Sequence, residues 1–321
     1  MAKASETFTI GIAPIDGFAL MSYAAIVEPL RAANTLSGQN LYDVTVLQTS
    51  KTPAQSSSAD LVPQQEPMSV TQDFDLVLVT AAGNALDYEN KALAQWLRAM
   101  SRKGAQIGGV SAAPLYLARN GLLDGRRMTV HWEHAEYLEE LAPDALFEPS
   151  LYVIDRDRLT CGGGTAPIDL MLALISTHHG QKLAQLVGDW FLHTSIRPSA
   201  GPQRASLADR YGTVNAHVLA ALEAMEAHVA NPLELSALAK IAGTSPRQLT
   251  RLFLANVDAT PIAFGRKIRL EKARNLLQTA ALSVSEIALM TGFSSSAHFS
   301  YAYSAEYGVA PSKSRGTSSS A

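Results

Sequence analysis

The sequence predicts two domains of different class: an α/β domain with a parallel sheet and helices on both faces, then an all-α domain with two helix-turn-helix units. Three observations carry this. Short apolar runs such as FTIGIAP (8–14) and DLVLVT (75–80) alternate with helical stretches through the first half of the chain. A helix-turn-helix pattern that begins at Leu235 recurs at Val284. Between the halves, RPSAGPQRASLADRYG (197–212) is rich in Pro, Gly, Ser and charge and reads as a linker. With 321 residues, 47% of them hydrophobic, each domain has material for its own core.

In chain order, strands are expected at 8–14, 43–49, 75–80 and 105–110, with helices over 22–34 and 92–102 between them. Alternation of this kind implies a parallel sheet covered on both faces. Such sheets bind ligands beyond the carboxyl ends of their strands. The residues to inspect are therefore Asp16, Phe18 and Ser22 after the first strand, Ala82, Gly83 and Asn84 after the third, and Ser111 after the fourth. His131 and Trp132 follow a further short strand. Ser111 is the most informative, because GGVSAAPLYLARNG sets a small polar residue on a tight strand-to-helix corner.

A single cysteine, Cys161, excludes an intramolecular disulfide, and the glycines after it (162–164) point to close backbone packing around a buried, inert thiol. His178 and His179 end a helix, where imidazolium suits the dipole, and form no metal-ligand pattern. No cofactor or metal is expected. Neither an apolar run of about twenty residues nor a signal peptide is present, so a soluble cytoplasmic protein with no membrane partner is expected. The net charge of −3 is unevenly spread: residues 213–321 hold ten Lys and Arg against seven Asp and Glu, whereas the rest hold sixteen against twenty-two. A basic reader on an acidic partner domain fits this division.

The two copies read LSALAKIAGTSPRQLTRLF (235–253) and VSEIALMTGFSSSAHFSYAY (284–303). Gly243 and Gly292 stand where a helix C-terminus needs positive φ, and Ser245 with Pro246 is an N-cap followed by proline at the first helical position. A long helix over 261–280, capped by Thr260, joins the units. The second helix of each unit would enter the major groove. In the first copy it presents Arg247, Gln248, Thr250 and Arg251, and the two arginines can reach guanine O6 and N7 bidentately. The second copy presents Ser296, His298, Ser300 and Tyr301 and has no cationic reader, so the first copy is expected to read most bases and the second to position. Arg266, Lys267, Arg269, Lys272 and Arg274 on the joining helix are either phosphate contacts or a solvated face.

These repeated motifs, with the joining helix and YGVAPS, resemble the AraC family of bacterial transcription activators over about the last hundred residues. The resemblance implies double-stranded promoter DNA and RNA polymerase as partners, and a homodimer on repeated half-sites. Where relatives usually carry arginine, this chain has Tyr301.

The first half, about residues 8–195, resembles the class I glutamine amidotransferase-like domain that GlxA-type regulators fuse to an AraC-type reader; CGGGTAPIDLMLALI (161–175) belongs to the match. Catalytic members carry a cysteine at the strand-to-helix corner and often an acid from the first helix beside it. Here those positions hold Ser111 and Ser22, which argues against thiol chemistry. Three readings of Ser111 stay open: a ligand contact, a helix cap, or a serine nucleophile with His131 as base and Asp16, Glu133 or Asp169 as its acid. The first is preferred, and the domain is expected to be a non-enzymatic sensor. A ligand carboxylate near Ser111 and a cationic amine over Trp132 or Phe18 would describe a small zwitterion. With the family resemblance, this points to a betaine-, carnitine- or arginine-like effector held by Ser22, Phe18, Gly83, Asn84, Ser111, His131 and Trp132. The expected organisation is a sensing and dimerisation domain at 1–196, a linker at 197–212, the DNA-binding domain at 213–315 and a disordered tail at 316–321.

Overall fold

The structure, a computed structural model, describes residues 7–64, 66–83, 88–135, 138, 142–279 and 282–314. Contacts divide the chain into two units, Met1–Arg204 and Ala205–Ala321.

In the first unit, β1 (Phe8–Pro14) leads to α1 (Leu20–Ser37), β2 (Tyr42–Gln48), the two-residue β3 (Glu66–Pro67) and β4 (Leu76–Ala81). There follow α2 (Lys91–Arg102), β5 (Gln106–Ser111) and α3 (Ala113–Arg119). Then come β6 (Arg127–Met128), β7 (Leu146–Phe147), β8 (Tyr152–Asp155), β9 (Arg158–Cys161), α4 (Ala166–His179) and α5 (Gln181–Trp190). The main sheet runs β3-β2-β1-β4-β5-β9-β8, parallel except between β8 and β9; β6 and β7 pair separately.

Side-chain alternation along β4 builds both cores. Val77, Val79 and Ala81 pack under α2 and α3, while Leu76 and Leu78 pack with Ile26, Leu30, Leu170 and Ile175 of α1 and α4. All six residues of β4 are buried, and each Val or Leu so placed contributes about 1.5–3 kcal/mol of burial. The four strands predicted from sequence are present, within a residue at each end. The antiparallel β8–β9 pair was not anticipated, because four-residue strands are too short to show a period.

The stretch 197–212, expected to be a linker, is packed. Asp169 is fully buried; its Oδ2 accepts from Arg197 Nε (2.9 Å) and Nη2 (2.6 Å), while its Oδ1 accepts from the Arg197 backbone N–H (2.8 Å) and meets His193 Nε2 (2.8 Å). Leu151 N–H donates to Ser199 O (2.8 Å), which holds the segment on the first unit as far as Arg204. From Ala205 the chain folds with the second unit: α6 (Leu207–Tyr211) pairs Arg210 with Glu226 at 2.7 and 2.8 Å. Composition read this stretch as a linker because its anchors, such as Asp169 for Arg197 and Glu226 for Arg210, are distant in sequence.

The second unit continues with α7 (Ala216–Ala227), α8 (Leu235–Ile241), α9 (Pro246–Val257), α10 (Pro261–Thr279), α11 (Val284–Met290), α12 (Ser296–Tyr307) and α13 (Pro311–Ser314). α7 starts where the Asn215 side chain caps it by accepting from the N–H groups of His217 and Val218. The first helix-turn-helix closes on Leu222, Leu238, Leu249, Phe253 and Ile268, all buried. In the second, the rings of Phe293, Phe299 and Tyr303 follow one another at 5.3 and 5.5 Å. Its first helix has a full capping box, Ser283 with Glu286, legible as S-x-x-E in the sequence.

Arg269 is not part of a solvated face. Its Nη1 donates to Gly292 O (2.7 Å) and its guanidinium stacks 4.5 Å from the Phe293 ring, fixing the second turn to α10. Arg274 lies over the Tyr307 ring at 4.9 Å.

Candidate functional site

At the carboxyl end of the sheet, β4 and β5 pair Ala81 with Ser111, and β9 ends beside them at Cys161. Ser111 has φ +65°, a conformation that costs a non-glycine residue about 1–3 kcal/mol and that clusters at functional corners. Its side chain does not cap α3, whose N-cap is Ala112. Among the described residues its hydroxyl makes no hydrogen bond, and its carbonyl accepts from His131 N–H (3.2 Å).

Gly162–Gly164 form one wall. A Cβ on Gly163 would lie 2.6 Å from Ser111 Cβ, so that backbone presses directly on the corner. Gly164 N–H donates to Ser22 Oγ at 3.0 Å, which ties the position of the expected acid to this loop; Ser22 is buried. A Cβ on Gly162 would stand 2.8 Å from the Gln203 amide. Three successive residues thus touch Gln203, Ser111 and Ser22. The glycine run was the sequence signal for this wall; Gln203 gave none.

The aromatic side differs from expectation. Phe18 is fully buried, with its ring edge-on to Tyr23 at 5.6 Å, and offers no surface to a ligand. Trp132 is 37% exposed, but the Arg204 guanidinium lies over its ring at 4.4 Å. Gly83 turns at φ +60° just beyond β4. Asn84 lies outside the described residues.

Of the acids considered for His131, Asp169 is consumed by Arg197 and His193, and Asp16 accepts from Gln55 N–H at 2.9 Å. Glu133 alone stands near, its carboxylate 3.4 Å from His131 Nδ1. Cys161 is fully buried and burial pushes its thiol up to about 12, so it stays protonated and unreactive. Among the described residues no group of His, Cys, Asp and Glu could hold a metal ion.

Burial also pushes His131, His178 and His179 below the usual histidine range; Glu133 partly opposes this at His131. Burial thus opposes the imidazolium that the dipole at the end of α4 would favour. His178 packs on Phe8 at 4.5 Å and sets its Nδ1 3.3 Å from Tyr42 Oη. The unfolded chain takes up these protons near its ordinary value of about 6.5, before the folded chain does. Stability is then complete above that value and declines as pH falls through it. The Tm of the protein should drop between about pH 7.5 and pH 5.5, and His178→Asn should flatten that slope. An unchanged slope in the variant would refute the assignment.

In the second unit, Arg247 and Arg251 are exposed one turn apart on α9, opposite Leu249 and Phe253, which are fully buried. Gln248 is half-buried, and the Thr250 hydroxyl donates to Pro246 O (2.9 Å), leaving it only as an acceptor. On α12, Ser296, His298 and Tyr301 are exposed, the last by 78%, while Ser300 is half-buried. Arg266 is exposed and Lys272 half-buried on α10. Each of α9 and α12 thus shows one polar outer face above an apolar anchor.

A parallel-sheet domain with a strained strand-end corner, joined to two helix-turn-helix units, defines a class of DNA-binding regulator with a ligand-sensing domain. Residues 14–177 match the model of the DJ-1/PfpI family, and residues 238–317 that of a helix-turn-helix domain. The chain is 43% identical to the HTH-type transcriptional regulator GlxA of Rhizobium meliloti, over 97% of this chain and 96% of that protein. It is 39% identical to the HTH-type transcriptional regulator CdhR of Pseudomonas aeruginosa, over 94% and 89%. An AraC family regulator from Pseudomonas putida shares the fold, with a TM-score of 0.54 and 24% identity over 57% of this chain and 99% of that one. The chain belongs to the AraC-type transcriptional regulators that carry a DJ-1/PfpI domain. Among the described residues no helix is long and apolar enough to cross a membrane.

Proposed function

We propose that this regulator is a homodimeric, cytoplasmic activator that recruits RNA polymerase when a small amine or amino-acid-like effector occupies the strand-end pocket. One observation carries the sensing part. The strand-end site keeps the strained corner of the fold at Ser111 while the acid position, Ser22, is spent on Gly164 N–H. A free hydroxyl beside a glycine backbone suits a polar ligand group better than it suits thiol chemistry. A betaine-, carnitine- or arginine-related compound offers such a group together with a cation for Trp132.

On the DNA side, Arg247, Gln248, Thr250 and Arg251 read bases, whereas Ser296, His298, Ser300 and Tyr301 hold the second unit in its groove. Arg266 and Lys272 take phosphates. The exposure of Arg247 and Arg251 on one face of α9 supports this division. Arg251→Ala should cost about 1–3 kcal/mol at the selected site and relax one base position. Selection of bound duplexes from a random pool, with wild-type and variant full-length protein, checks this; an identical motif and affinity would remove Arg251 from the readers.

A second reading has one observation in its favour. Ser111 at φ +65° resembles a nucleophile corner, and His131 adjoins Glu133. It requires turnover of an amide or ester that vanishes in Ser111→Ala.

A further inference from the structure

We infer that the Trp132 ring is a cation subsite which, in this state, the chain fills with its own Arg204, and that residues 198–204 form a strap released when an effector cation takes that place. The inference deepens the sensing role proposed above and rests on it.

Besides the Leu151 N–H to Ser199 O bond (2.8 Å), two side chains attach the strap within the first unit. Arg204 places its guanidinium 4.4 Å from the Trp132 ring centroid, a distance at which the ring quadrupole attracts a cation. Gln203 inserts its amide among groups at the strand ends. Its Nε2 donates to Ser150 O (2.6 Å) and Val130 O (2.9 Å) and lies 3.1 Å from Thr129 Oγ1, while its Oε1 accepts from Trp132 N–H (2.8 Å). Trp132 is therefore gripped twice, on its ring and on its backbone, by adjacent residues. Upstream, Arg197 is fixed to buried Asp169, so only the part after it can move as a strap.

The strap also adjoins the loop that presses on the Ser111 corner. Gly162 abuts the Gln203 amide, Gly163 abuts Ser111, and Gly164 is bonded to Ser22. A ligand that displaces the corner at Ser111 pushes on the same loop that seats Gln203. A ligand cation over Trp132 competes with Arg204 directly. Either push favours the same outcome, and a ligand shifts such a balance only by binding the released state better. Release matters because Ala205 begins the second unit. Freeing 198–204 lengthens the tether that presents the reader.

A cation that competes with arginine for one aromatic face is a guanidinium or a methylated ammonium, in preference to a small, strongly hydrated metal cation. The chemistry of the subsite therefore narrows the effector to ligands with such a head.

The test is hydrogen exchange by mass spectrometry on the full-length protein, following amides 198–206, with β1 and β4 as a control for the fold. Arg204→Ala and Gln203→Ala should each speed exchange in 198–206 roughly tenfold, equivalent to about 1.4 kcal/mol of local stability, and leave β1 and β4 unchanged. Tetramethylammonium chloride, compared with sodium chloride at equal ionic strength, should speed the same amides in the wild type and have no further effect in Arg204→Ala. Equal exchange in both salts would overturn the competition. Unchanged protection in both variants would overturn the strap. Failure of the sensing role itself reads out elsewhere: no betaine, carnitine or amino acid would raise the Tm of either wild type or Arg204→Ala, whatever the salts do to the strap.

Discussion

Asp169→Ala should lower the stability of the protein by about 3 kcal/mol, more than any surface change in the first unit. The carboxylate is fully buried and collects Arg197 through both side chain and backbone, together with His193. Removing one partner of a buried pair typically costs about 3–5 kcal/mol, because the other is left uncompensated. Arg197 is 37% exposed at its side chain and can turn to water, which places the loss at the low end. The variant also frees the root of 198–204. Denaturant unfolding of wild type and variant measures the difference, and a change below about 1 kcal/mol would mean that the carboxylate is not the anchor.

Gly292→Ala is the second large effect. The residue has φ +72°, and an added Cβ would stand 2.6 Å from Val229 O and 2.7 Å from Pro232 Cδ. Conformational strain of about 1–3 kcal/mol and overpacking of about 1–3 kcal/mol act together. Its counterpart Gly243 has φ +64° with nothing near a Cβ, so Gly243→Ala suffers only the first. Parallel melts of the two variants should show the larger loss at Gly292. Equal losses would mean that the 229–232 segment yields to the methyl group.

This contrast shows where sequence reasoning stops. Both glycines were legible as helix ends from their place in the repeat, but only contacts distant in sequence separate them. The same limit explains the pocket. Ser111, Ser22 and the glycine run were visible because a corner and a tight loop restrict residue type. Gln203 and Arg204 were not, since they attach mainly through backbone groups and one ring face, which leave no pattern at their own positions. Phe18 looked like an aromatic surface, but its ring is fully buried, edge-on to Tyr23. Arg269 was read as either a phosphate contact or part of a solvated face, because a cation on a helix carries no mark of which side it faces. The parallel strands and the second helices of the two helix-turn-helix units, by contrast, followed from periodicity, the repeat and the capping of the first copy.

The central claim is that the first unit senses a small cationic or zwitterionic molecule without transforming it. The most direct measurement is a thermal-shift series on the full-length protein against glycine betaine, carnitine and amino acids, with mass spectrometry of each ligand after incubation. The account predicts a saturable rise in Tm, following RT ln(1 + [L]/Kd), with the ligand recovered unchanged. Consumption of the ligand that ceases in Ser111→Ala would contradict it and make the domain an enzyme.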